Sequence, residues 1–287
     1  MTYNHLIAVN ITSLQQSKVL KNFVENCEFE KYESIKYELN CKFSRRNNKL
    51  YKFMLTDIDR QVIMKVSYIN KIYKWNRQFE LILKHYLRDA NYTAFRCCEK
   101  AYSHGLASPE PLAYWKKRDS LLQVKSYFLY QYIDDFLVEK IYKKLEKAEG
   151  IDAEKKKALI RQKIISALKA LHQHGIRHGD IAPYNILMPV GNIDNLSNAR
   201  VYFIDYDRSS LTKIKYPAFI RRFFDIKDLW KMRIGDTSPY DMLKLYLGSD
   251  YHPWWNIVLI FWRWRGLKKI KMSFPNKLKR LKHRLFG

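Results

Sequence analysis

Apolar and polar residues alternate with different periods along the chain. Three runs between residues 35 and 69, IKYELNCKF, LYKFMLTD and QVIMKVSYI, are rich in aromatic and β-branched residues, with the turns RRNNK and DIDR between them. That pattern predicts an antiparallel meander. A helical pattern follows over roughly Lys71–His104 and is broken by Gly105, Pro109 and Pro111. Val124–Ile133 (VKSYFLYQYI) reads as another strand, and Asp134–Asp135 after it as a connector. After a charge-rich stretch, Leu159, Ile164, Ile165, Leu168 and Leu171 recur at helical spacing, with Gly175 where a C-terminal cap belongs. Two short apolar strands, Asn185–Met188 and Val201–Ile204, come next. Residues 1–35 read as partly helical and the chain beyond Ala218 as mainly helical.

Length and cysteine content narrow the class. At 287 residues with 47% apolar content, the chain can build a sizeable core without staples. The cysteines (Cys27, Cys41, Cys97, Cys98) form no CxxC pair and have no histidine at ligand spacing, which predicts reduced thiols in a cytosolic protein. The N-terminus lacks the basic flank and cleavage site of a signal peptide, and the longest apolar run is far short of a membrane span. Charge changes the picture more. The 53 Lys and Arg against 28 Asp and Glu give +25, an excess that calls for an acidic partner such as nucleic acid, anionic lipid or a phosphorylated sugar.

The candidate chemistry lies in HGIRHGDIAPYNILM and VYFIDYDRS. Asp180 sits in a loop after a helix, Asn185 opens a short strand, and Asp205 ends another. Phosphoryl transfer needs cations on the phosphates and an oriented acceptor hydroxyl. Mg2+ prefers carboxylate and amide oxygens, which Asn185 and Asp205 supply, and Asp180 would take the acceptor's proton. The set resembles the H-R-D-x-x-x-x-N loop and D-F-G of protein kinases, with Gly179, Ala182 and Tyr206–Asp207 as departures. His178 reads as a structural hydrogen-bonding residue of that loop.

The resemblance implies an α+β, protein-kinase-like bilobal fold, with a small antiparallel-sheet N-lobe and a mainly helical C-lobe. The corresponding divisions are an N-terminal extension 1–35, an N-lobe 36–133 and a C-lobe 134–287. It also implies that Lys65 holds the ATP phosphates and that Tyr130, Gln131 and Tyr132 contact the nucleotide. A helix glutamate should pair with Lys65, and Glu80, Asp89 and Glu99 are the acidic residues in range. No glycine-rich loop is present; the amides of SRRNNK, with Arg45, Arg46 or Lys49, would cover the phosphates instead.

Two phrases narrow the family. HGLASPEPLAYW and Ile204–Asp205–Tyr206–Asp207–Arg208 resemble segments of the bacterial lipopolysaccharide core kinases that act on Kdo and heptose, and the likeness spans Lys65 to Arg208. It implies ATP and Mg2+ as cofactors and a lipopolysaccharide core oligosaccharide as acceptor. After Asp250 the chain has no acidic residue but ten Lys/Arg and four Trp, the composition of a tail that docks on an anionic membrane surface. A cytoplasmic protein on the inner face of the inner membrane is expected. The same Trp254–Trp264 segment reads alternatively as a final core helix. Divergent protein or small-molecule kinases and a basic pseudokinase are the competing readings, and no specific nucleic acid is expected.

Overall fold

The computed structural model describes residues 5–11, 17–26, 28–34, 48–68, 89–106, 108–120, 123–134, 137–148, 150–188, 196, 199–211, 225 and 239–257. Strand β1 (His5–Ile11) is followed by helices α1 (Ser17–Glu25) and α2 (Phe29–Ser34). Strands β2 (Asn48–Leu55) and β3 (Arg60–Tyr68) form a hairpin that pairs Asn48 with Ser67 and Leu55 with Arg60. Asp59, left-handed at φ +47°, closes its turn. Helix α3 (Ala90–Ser103) precedes β4 (Pro111–Ser120) and β5 (Gln123–Gln131). The strands make one antiparallel sheet in the order β1-β4-β5-β3-β2.

Period-two alternation gives this sheet two apolar faces. Tyr51, Phe53, Val62, Met64, Trp115, Tyr127 and Leu129 meet Leu20, Phe23, Val24 and Phe29 of α1 and α2 on one face. Trp115 stacks on Tyr127 at 5.0 Å and 3°. On the other face Tyr114 and Phe128 pack against Ala94, Phe95, Cys97 and Cys98 of α3, and so join the core of the second lobe. The buried free thiols Cys97 and Cys98 match the reading of reduced core cysteines. The N-terminal segment thus contributes an edge strand and a covering layer to this lobe, where its sequence suggested only some helix. Strand β4 was likewise hidden by the prolines that open it.

Helix α3 is anchored at its start. Asp89 caps it, accepting from the backbone amides of Asn91 (2.9 Å) and Tyr92 (3.2 Å), while the Tyr114 hydroxyl donates to its other oxygen at 2.8 Å. Asn91 Nδ2 donates to the Ser126 carbonyl at 2.8 Å, tying the helix to β5.

The second lobe begins with α4 (Val138–Lys147) and α5 (Ile151–Gln173) and includes α6 (Pro239–Leu247). In the stretch read only as charge-rich, Val138, Ile141, Tyr142 and Leu145 form the buried stripe of α4. The apolar face predicted for α5 is present, with Ile160 buried and Leu159 at its margin. Gly175, at φ +71°, ends that helix by donating to the His172 carbonyl at 3.0 Å. Two short strand pairs follow, β6 (Ile176–Arg177) with β9 (Ser210–Leu211) and β7 (Ile186–Leu187) with β8 (Tyr202–Phe203). The loops 178–185 and 204–209 each run between these pairs, so both are held at both ends. Among the described residues, no helix is long and apolar enough to cross a membrane.

Candidate active site

Lys65 lies on β3 between Met64 and Val66, which face α1 and α2, so alternation sends its side chain to the opposite face. Its ammonium, with the side chain 9% exposed, meets Asp205 Oδ1 at 2.7 Å and Asp207 Oδ1 at 2.6 Å. Burial works against the lysine charge, but the two carboxylates outweigh it and hold the pKa above the ordinary lysine range. The Asp205 carboxyl is also penalised by burial, yet Lys65 pulls it below the usual carboxylate range. Asp207 goes the other way: burial and the neighbouring Asp205 charge push it up. Asp205 itself is left-handed, at φ +62°, and starts the tight turn Tyr206–Arg208.

The loop that carries Asp180 hangs on a buried carboxylate that the sequence did not single out. Asp225 accepts from the backbone amides of His178 and Gly179, each at 2.7 Å, and His172 Nε2 lies 2.9 Å from it. Burial alone would raise its pKa, but His172 and these amides hold it below the usual range. His178 is fully buried, and burial pushes its pKa below the ordinary histidine range. Its Nε2–H donates to the Ile204 carbonyl at 3.0 Å, directly before Asp205, and its Nδ1 accepts from the Asp180 amide at 3.4 Å. The structural role expected of His178 is the one its bonds describe.

Gly179 is dictated by space. Its φ is +83°, and a Cβ there would sit 2.2 Å from the Arg208 carbonyl oxygen. Asn185 Nδ2 donates to the Asp180 carbonyl at 2.9 Å, and the Ile204 amide donates to the Asn185 carbonyl at 2.9 Å. Bonds to backbone groups therefore gather Asp180, Asn185 and Asp205 into one cluster with Lys65. Arg208 brings its guanidinium to 3.6 Å from Asp180 Oδ2, with its side chain half exposed.

Replacing Asp225 with asparagine is expected to cost about 3–5 kcal/mol, as breaking a buried charged network does, or roughly 10 °C in melting temperature. The new amide would turn N–H toward N–H. The folded pKa of Asp225 is depressed, so its contribution is complete above the unfolded aspartate pKa of about 3.9 and fades as pH falls through the lower folded value. A thermal melt from pH 7 down to pH 3 checks both effects: the variant starts lower and loses less on acidification.

Of the other expected residues, Tyr130 packs beside Phe128 at 4.9 Å between ring centroids and shares the electrostatic surroundings of Lys65 and Asp205. The Gln131 amide donates to the Glu110 carbonyl (2.9 Å) and the Tyr132 amide to the Gln61 carbonyl (3.0 Å). Those amides are committed to the sheet, so a ligand at this strand end would meet the side chains. Lys52 Nζ lies 3.3 Å from the centre of the Tyr132 ring. Of the acidic residues weighed as partners for Lys65, Asp89 caps α3 and Glu99 pairs with Arg96 at 3.0 Å. Glu80, Arg45, Arg46, the first run of the meander and residues 258–287 lie outside the described residues.

A sheet carrying a buried lysine, a loop with Asp180 and Asn185, and Asp205 just past a short strand define a protein-kinase-like fold. The solved structure of WaaP in complex with acyl carrier protein shares the fold, with a TM-score of 0.59 and 14% identity over 92% of this chain and 99% of that one. A BubR1 kinase domain aligns more loosely, with a TM-score of 0.40 and 14% identity over 71% of this chain and 62% of that one. No curated protein matches the sequence. Residues 61–234 match the lipopolysaccharide kinase (Kdo/WaaP) family, and the chain belongs to it.

Proposed function

We propose that this protein transfers the γ-phosphate of ATP to a sugar hydroxyl, on Kdo or heptose, of the lipopolysaccharide inner core. The observation that carries the reading is the convergence of Lys65, Asp180, Asn185 and Asp205 from strand, loop and strand end. Asp180 would accept the proton of the acceptor hydroxyl as its oxygen bonds to the γ-phosphorus and the bond to the bridging β–γ oxygen breaks, releasing ADP. Lys65 would hold the phosphates of the nucleotide. Tyr130, Gln131 and Tyr132 would line the nucleotide's side of the site through their side chains.

The donor set suits Mg2+. Asn185 is tied through its Nδ2 and keeps Oδ1 as an acceptor, and Asp205 is 43% exposed, so a hard amide oxygen and a carboxylate are on offer. Bound there, Mg2+ would neutralise charge on the phosphates. Arg208, half exposed beside Asp180, is a cation suited to an anionic acceptor or to the phosphate in transit.

The excess of 25 positive charges fits an acidic, lipid-held acceptor. Trp255 is 5% exposed and belongs to the core, while Trp254 (45%) and Ile257 (68%) face outward at the start of the basic tail. Both readings of this segment thus have support: a core helix residue beside an outward surface suited to a bilayer interface on the cytoplasmic side. WaaP, seen with acyl carrier protein, suggests a further partner to try by co-purification.

The test is incubation of the purified chain with γ-labelled ATP, Mg2+ and a core oligosaccharide acceptor lacking the phosphate. One phosphate on Kdo or heptose, located by fragmentation mass spectrometry, is expected. Label on peptides alone, or none, would overturn the reading.

A further inference from the structure

We infer that Asp207 is the positioning residue for Lys65, in the role that protein kinases give to a glutamate on the helix of the small lobe. The inference rests on the ATP-kinase reading above. In protein kinases the strand lysine must be paired with that glutamate for phosphoryl transfer. Here α3, on the Lys65 face of the sheet, turns Ala94, Phe95, Cys97, Cys98 and Ala101 inward, all buried. Cys98 lies within electrostatic reach of both Lys65 and Asp207. The neighbouring Glu99 is rotated by about 100° along the helix and pairs with Arg96. Asp89 is spent on the helix cap, Tyr114 and Lys116.

Among the described residues the carboxylate comes instead from the turn after Asp205. The left-handed backbone of Asp205 sends Tyr206 into the core, where its ring meets His178 at 4.7 Å, and brings Asp207 back to Lys65 at 2.6 Å. The Ser209 amide donates to the Tyr206 carbonyl at 2.9 Å and closes the turn, and α3 packs against it. Asp207 is also the less exposed of the two carboxylates at Lys65, 20% against 43%. Asp205 is thus the one open to solvent, and when it turns to a cation Asp207 still holds the buried ammonium. A glycine at position 207, as in D-F-G, would leave Lys65 without that partner.

The test uses the full chain and measures ATP turnover, Mg2+ dependence and binding of a fluorescent ATP analogue without acceptor. Asp207→Asn and Lys65→Met are each expected to lower kcat/KM for ATP by about 10²-fold, with the double variant no worse than either, since the pair acts as a unit. Asp207→Glu recovers most of the loss, and the half-saturating Mg2+ concentration stays at its wild-type value. Additive losses, or a shift in Mg2+ requirement as large as that of Asp205→Asn, would overturn the inference. So would a failure of Asp207→Glu to recover activity at a wild-type melting temperature. If the wild-type chain phosphorylates no sugar, the acceptor reading falls alone, and nucleotide binding and ATP hydrolysis still decide the role of Asp207.

Discussion

Asp180→Ala lowers kcat by about 10²–10⁴-fold, the contribution of a general base, while binding of MgATP changes little. The reason is geometric. Asp180 is held through its backbone, by Asn185 Nδ2 on its carbonyl and His178 Nδ1 on its amide, so losing the carboxylate removes chemistry and leaves the loop in place. Its side chain faces Arg208 at 3.6 Å, and that guanidinium remains to hold an anion after the substitution. Steady-state kinetics on the core acceptor, with a thermal melt as control, check the outcome. A kcat within threefold of wild type would remove Asp180 from the mechanism.

Gly179→Arg, which would write the protein-kinase H-R-D into this loop, is expected to abolish activity. Any side chain at this position begins with a Cβ that meets the Arg208 carbonyl oxygen at 2.2 Å and carbon at 2.8 Å, both of them backbone atoms. A φ of +83° adds about 1–3 kcal/mol for a residue other than glycine. Relief requires the loop and the Asp205 turn to separate. A misplacement of the order of 1 Å costs about 10²-fold in rate. Gly179→Ala is expected to lose activity to a similar extent, because the Cβ and not the guanidinium causes the clash. Activity together with melting temperature decides; an arginine variant at wild-type levels of both would show that the two loops separate without penalty.

How much of this was legible before folding depends on the range of the interactions. Lys65, Asp180, Asn185 and Asp205 stood out because each sits in a short run of local pattern, a strand lysine among apolar residues or a loop between a capped helix and a strand. The glutamate expected for Lys65 had no such run, and the acidic residues weighed for it could not be told apart. Asp207 and Asp225 carried no local signal. One acts on a strand 142 positions earlier and the other on amides 46 and 47 positions earlier. The only hint for Asp207 was that it stands where D-F-G has glycine. Asp225 lay in a stretch that read simply as helical.

By itself the sequence determined the sheet-and-helix character of the small lobe, the capped α5 and the order of the candidate site residues. Hydrophobic period, turn residues and helix caps act over a few neighbouring positions, and that is the range a pattern can report. Only the tertiary structure decided why Gly179 stands in the loop 178–185, which carboxylates meet Lys65, and that α1, α2 and β1 build the covering layer and edge of the sheet. Those outcomes depend on close approach between segments far apart in the chain. A 2.2 Å overlap with a carbonyl, or a choice between two aspartates two residues apart, exists only once the loops have been packed together.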